Sequence, residues 1–227
     1  MRLHLSALAF LVAGCASLSG ARPLNPGEHE IGATLGGGVL MLGSAPIPMP
    51  NVIVQGRSGI AAPLDRPLDL NYGLNLGALP FGVLQGHFGA SWLLAHQKGG
   101  VPAVSFTNRV WFASNLFGAG YHADKRMRFW GANQFEFDVS WVVKEQLIYV
   151  GLAEYLDFGN PQLTLTPVLG ATFDADPKRP GGVRLHLESR WYGLNQHTQL
   201  NTVRWAGGGQ GVFGVSLGVS YVLGRKP

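Results

Sequence analysis

The chain predicts an all-β fold, a closed antiparallel up-and-down transmembrane β-barrel of about ten strands, with eight as the fallback count. Three observations lead there: long stretches of alternating apolar and polar residues, a charged fraction of 13% beside 46% hydrophobic residues, and 33 glycines among 227 residues. Ordinary soluble proteins carry about 25% charged residues. The 12 Phe, 6 Trp and 6 Tyr are too many aromatics for a disordered chain, and the glycines follow no G-X-Y period. Beyond residue 13 no apolar run approaches the roughly 20 residues of a membrane helix. A bilayer crossing must therefore be made by strands.

The alternation is taken in chain order. Residues 28–42 and 50–60 are the first two candidates, the second short and ambiguous. In residues 67–79, Leu68, Leu70, Tyr72, Leu74 and Leu76 take one face, while Asp69, Asn71, Gly73, Asn75 and Gly77 take the other. Successive strand side chains point to opposite faces, so this segment has one greasy and one polar surface. Leu84, Phe88, Ala90, Trp92 and Leu94 then oppose Gln85, His87, Gly89 and Ser91. Around residues 104–112 the polar face carries Ser105, Thr107 and Arg109; Trp111 joins it and Asn108 sits opposite. In residues 134–143, Phe135, Phe137, Val139, Trp141 and Val143 oppose Gln134, Glu136, Asp138 and Ser140.

Residues 146–158 and 162–173 follow. Pro167 in the latter cannot donate to a ladder, so a bulge or broken pairing is expected there. Val183, Leu185, Leu187 and Trp191 oppose Arg184, His186, Glu188 and Arg190. Last, Phe213, Val215, Leu217, Val219, Tyr221 and Leu223 alternate with Gly214, Ser216, Gly218 and Ser220. Ten strands is an even number, as single-chain bacterial barrels require. Residues 43–49, 116–128 and 195–208 make long loops on one side, and the opposite turns are short apart from residues 174–182. Long outward loops and short inward turns are the habit of outer-membrane barrels.

A soluble sheet also alternates, with its apolar face inside. Here the polar face collects Asp69, Arg109, Glu136, Asp138, Glu154, Arg184, His186, Glu188 and Arg190 among many glycines. Charged and tiny residues together suit a crowded lumen, where buried charges must be paired. Trp92, Trp141, Trp191 and Tyr221, on the apolar face toward strand ends, suit an aromatic girdle. The net charge of +4 is scattered, which argues against a nucleic-acid partner.

The N-terminus reads as an export signal: Arg2, an apolar stretch over residues 3–13, then small residues. Two cuts fit residues 1–21. Val12-Ala13-Gly14-Cys15 resembles a lipobox, with cleavage before a lipidated Cys15; Ser19-Gly20-Ala21 fits an ordinary peptidase acting after Ala21. Cys15 is the chain's single cysteine, so no disulfide claims it. Ala16 follows it, and resemblance to lipoprotein sorting rules implies transfer to the outer membrane. Residues 22–227 form one barrel domain.

Ser216, Gly218, Tyr221 and Leu223 match the polar-x-Gly-x-x-aromatic-x-hydrophobic β-signal read by the barrel assembly machinery, although the chain continues through Gly224-Arg225-Lys226-Pro227. Leu24-Asn25-Pro26-Gly27-Glu28-His29-Glu30-Ile31-Gly32 resembles the opening turn and first strand of many such barrels. The chain thus resembles the small bacterial outer-membrane β-barrel proteins. The resemblance implies assembly by that machinery, residence in the bacterial outer membrane, and contact with membrane lipid and lipopolysaccharide.

The function expected from these features is a non-enzymatic barrel, lipid-anchored if Cys15 is processed, with a structural or surface-interaction role. The alternatives are a narrow pore for small solutes and, third, a lipid-modifying enzyme. Barrels of eight strands usually fill with side chains, and ten leave little more room. Arg184, His186, Glu188 and Arg190 on one face are the most enzyme-like set, but Ser189, the obvious nucleophile, falls on the opposite face from His186. No cofactor and no metal are expected: His87 has no second His at ligand spacing, and His122 with Asp124 reads as solvated loop. Gly36-Gly37-Gly38 and Gly207-Gly208-Gly209 lack the following helix that a phosphate cradle needs.

Overall fold

The computed structural model describes residues 21–42, 45–48, 51–61, 66–116, 129–144, 146–159, 161–174, 181–197, 204–206 and 210–224. Its strands are β1 (His29–Leu42), β2 (Ala45–Pro48), β3 (Asn51–Ile60), β4 (Leu68–Asn75), β5 (Val83–Ala95), β6 (Ala103–Asn115), β7 (Phe129–Val143), β8 (Gln146–Asp157), β9 (Leu163–Asp174), β10 (Gly182–His197), β11 (Arg204–Trp205) and β12 (Gln210–Leu223). All pair antiparallel, in the order β12-β10-β9-β8-β7-β6-β5-β4-β3. Closure comes from β1, which pairs on one side with β12 (His29 opposite Leu223) and on the other with β3 (His29 opposite Ser58). Ten of the twelve described strands thus make a closed barrel, and closure leaves no sheet edge unpaired. Both ends of the barrel chain lie at one mouth, as an even strand count requires.

The two remaining strands extend the opposite end. β2 and β11 flank the last residues of β1, pairing Leu40 with Ile47 and with Trp205. This three-stranded flap is absent from the sequence-based expectation. Several strands also run further than the alternation suggested: β6 reaches Asn115, β7 starts at Phe129, and β10 continues to His197.

Alternation places the side chains. The exterior shows Ile31, Leu70, Tyr72, Phe88, Leu185 and Leu217, the last 61% exposed. Arg109, Glu136, Asp138, Gln134 and Thr107 are all at 0%. Apolar outside and polar inside is the reverse of a water-soluble sheet. Trp141 and Trp191 face outward near opposite mouths. Each indole N–H donates to a backbone carbonyl, Gly100 at 3.3 Å and Gln210 at 2.8 Å. An amphipathic ring with its polar tip satisfied suits the lipid–water boundary.

Two expectations need correction. The segment 67–79 is not one strand: β4 ends at Asn75, and a 3-10 helix (Leu76–Phe81) containing Pro80 makes the turn to β5, ending at Gly82 with φ 73°. Leu76 and Gly77 therefore do not continue the alternation, because Pro80 cannot donate to a ladder and Gly82 supplies the left-handed turn. Glu154 faces outward, on the same side of β8 as Ile148, Val150 and Leu152, while Tyr149, Ala153 and Tyr155 point inward. The ladders of β8 run without a shift, so Glu154 keeps the outward parity of the apolar residues before it.

Pro167 behaves as expected. The β9–β10 ladder stops at Val168 opposite Arg190, one residue short of the proline. Beyond it, side chains replace backbone. Asn195 accepts from Leu165 N at 2.9 Å and donates to Leu163 O at 2.9 Å, and Thr166 Oγ1 accepts from Gly193 N at 3.3 Å. In lipid, backbone groups must find partners within the protein, and the Asn195 amide supplies them.

Candidate functional site

The polar interior is the candidate site, built by inward positions of nine strands. Its middle layer centres on Glu136 of β7. Arg109 of β6 reaches Glu136 Oε2 at 3.2 Å, and Arg190 of β10 reaches Oε1 at 3.1 Å. Gln134 donates from Nε2 to Glu136 Oε2 at 2.5 Å, and its Oε1 accepts from Trp111 Nε1 at 2.7 Å. Arg190 also donates to Glu188 at 2.5 Å, and Glu188 accepts from Tyr149 Oη at 2.7 Å. Arg109 Nε reaches Asn71 of β4 at 3.0 Å. The network thus ties β4, β6, β7, β8 and β10 through the lumen. Asp138 lies in the same interior, fitted over Gly151, where a Cβ would fall 2.1 Å from its Oδ1.

A second layer lies nearer the mouth that holds the chain ends. Glu30 of β1 receives Arg57 at 3.4 Å, Arg184 at 3.3 Å and the Ser220 hydroxyl at 2.5 Å. Arg57 also pairs with Asp69, and Arg184 with Asp174 at 3.4 Å. His186 bonds Ser220 through Nε2 at 2.8 Å and Thr172 through Nδ1 at 3.1 Å. Charges removed from water cost several kcal/mol each unless partnered. Both layers meet that requirement with multiply bonded ion pairs.

Of the nine residues assigned to the lumen from sequence, Asp69, Arg109, Glu136, Asp138, Arg184, His186, Glu188 and Arg190 do point inward, and Glu154 does not. Sequence reasoning missed Glu30, Arg57 and Tyr149. The first two sit on strands whose alternation is diluted by glycines, though Glu30 and Arg57 occupy the inward parity. Tyr149 carried no signal, because an aromatic in a barrel strand reads as lipid-facing. In the β-signal set, Ser216 and Gly218 point inward, Tyr221 and Leu223 outward, and β12 is the strand that closes on β1. His87 packs on Trp111 with ring centroids 4.5 Å apart. Cys15, His122, Asp124 and most of the loops 116–128 and 195–208 lie outside the described residues.

His186 has Thr172 on Nδ1, and on Nε2 it meets both Ser220 at 2.8 Å and Glu30 Oε1 at 3.4 Å. Glu30 accepts the Ser220 hydroxyl directly, so that hydroxyl is committed to a carboxylate as well as to the ring.

Compared along its length, the chain is similar to the translocator domain of autotransporter NalP from Neisseria meningitidis, at 12% identity and a TM-score of 0.43 over 97% of each chain. It is also similar to Ail, the attachment invasion locus protein of Yersinia pestis, at 11% identity and a TM-score of 0.26 over 87% of this chain and 99% of that one. No protein-family model and no curated protein matches it. The closed ten-stranded antiparallel wall, apolar outside and ionic within, defines the class: this is an outer-membrane type of β-barrel.

Proposed function

We propose that the protein resides in the bacterial outer membrane as a sealed, non-enzymatic barrel, acting as a structural element or through its outward loops. One observation carries this reading. The Arg109–Glu136–Arg190 layer lies across the lumen with exposures of 0%, 0% and 2%, so side chains occupy the path a solute would take. Barrels of about eight strands are filled by side chains and ten leave little more room, which argues against the narrow-pore alternative. The lipid-modifying alternative is disfavoured by the position of His186, inside the wall with Ser220 and Thr172 rather than on the lipid-facing rim. Its partners are then membrane lipid and lipopolysaccharide around the wall, with the assembly machinery engaging β12 during biogenesis.

The test has two parts. The protein should fractionate with outer membranes and show heat-modifiable gel mobility, and the refolded barrel should give no stepwise conductance in planar bilayers. Discrete ion-conducting steps would sink the sealed-lumen reading. Recovery in the soluble periplasmic fraction would sink the membrane reading itself.

A further inference from the structure

Residues 21–25 do not lie outside the barrel. They cross the mouth that holds the chain ends, from β1 toward β6 and β7, tied to the wall by side-chain hydrogen bonds along the path. The Ala21 carbonyl accepts from Ser105 Oγ of β6 at 3.0 Å and from Ser140 Oγ of β7 at 3.3 Å. The Arg22 carbonyl accepts from Arg57 Nη2 at 2.7 Å, and its guanidinium reaches Gln97 Oε1 at 2.5 Å. Leu24 N donates to Asp69 Oδ2 at 2.9 Å, and Asn25 N to Glu28 Oε2 at 2.9 Å. Ala21 and Leu24 are 1% and 3% exposed. The wall is shaped to admit the segment: a Cβ on Gly59 would fall 2.0 Å from the Asn25 carbonyl oxygen.

Cleavage after Ala21 is incompatible with this arrangement. It would remove the acceptor of two serine hydroxyls that are themselves at 0% exposure. It would also cut the chain at Arg22, whose carbonyl accepts from the Arg57 guanidinium. Removing the shared acceptor of two buried hydroxyls destabilises the fold. We propose that the export leader is removed on the N-terminal side of Ala21, and that residues 21–25 stay in the mature protein as a fixed strap across the mouth. Of the two cuts that the sequence permits, this selects the upstream one.

The proposal is tested on full-length protein purified from outer membranes in detergent. Mass spectrometry of the mature N-terminus should find a start at Cys15, with or without added acyl mass, or at any position through Ala21. A start at Arg22 or later overturns the proposal. Deuterium exchange supplies the second readout. The Leu24 amide should exchange at least about ten-fold more slowly than an unstructured amide, and Gly59→Leu should abolish that protection. Where Gly59→Leu fails to fold, the Ser105→Ala/Ser140→Ala pair serves instead, with faster exchange over residues 21–25. Unprotected amides there in the wild-type protein also overturn it.

Discussion

Arg190 on β10 and Glu136 on β7 are joined by two parallel hydrogen bonds, Nη2 to Oε1 at 3.1 Å and Nη1 to Oε2 at 3.3 Å, with β8 and β9 standing between them in the wall. The pair is a brace across the interior rather than a link between neighbours. Two-point geometry of this kind is what a guanidinium offers and an ammonium does not.

Removing the shared carboxylate should therefore be costly. Glu136→Leu leaves Arg109 and Arg190 without their common partner, and a loss of about 3–5 kcal/mol in urea titration of the refolded barrel is expected. Replacing the set together, as Arg109→Met/Glu136→Leu/Glu188→Gln/Arg190→Met, should recover most of that loss, because both members of each buried pair are then neutral and Tyr149 keeps an acceptor. A single variant within about 1 kcal/mol of wild type would show that the brace carries little stability.

Tyr149 and Gly170 should be coupled. A Cβ on Gly170 would lie 2.1 Å from the Tyr149 ring, so Gly170→Ala forces the ring away from Glu188 at a cost of about 1–3 kcal/mol. In the Tyr149→Ala background the same change should cost much less. The double-mutant cycle reads this directly, and strict additivity would mean that the ring does not rest on the glycine.

Glu154 and Glu136 should respond oppositely to loss of charge. Glu154 points from β8 toward lipid, opposite Phe135 and Leu165, where an ionised group is unfavourable in a depth-dependent way. Glu154→Leu is expected to leave the urea midpoint unchanged or raise it, while Glu136→Leu lowers it. A lowered midpoint in Glu154→Leu would place that carboxylate inside the wall.

In the outer part of the β9–β10 seam, the Leu165 amide is held by the Asn195 side chain. Asn195→Ala removes the acceptor of Leu165 N and a donor to Leu163 O, so the Leu165 amide should exchange at least about ten-fold faster, while amides below Val168 keep their protection. Equal rates in the two proteins would mean that another group closes the seam.

Much of this was legible in the chain itself. Alternation with a period of two assigns each side chain to one of two faces, and the abundance of apolar residues against few charges says which face meets lipid. Ten barrel strands, the break at Pro167 and eight of the nine inward polar residues follow from those local patterns. Other features ran against the plainest local cue. Glu154 carries a charge yet shares the outward parity of Ile148, Val150 and Leu152, and at Leu76–Phe81 a proline and a left-handed glycine override a repeating pattern.

Pattern along the strand thus determined the wall of this protein: how many times it crosses, which surface is oily, where a proline interrupts it. Only closure in three dimensions decided who meets whom inside. Arg190 is 54 residues from Glu136, and Ala21 is 84 from Ser105 and 119 from Ser140. Contacts across a lumen depend on strand stagger and curvature, which no stretch of sequence specifies alone.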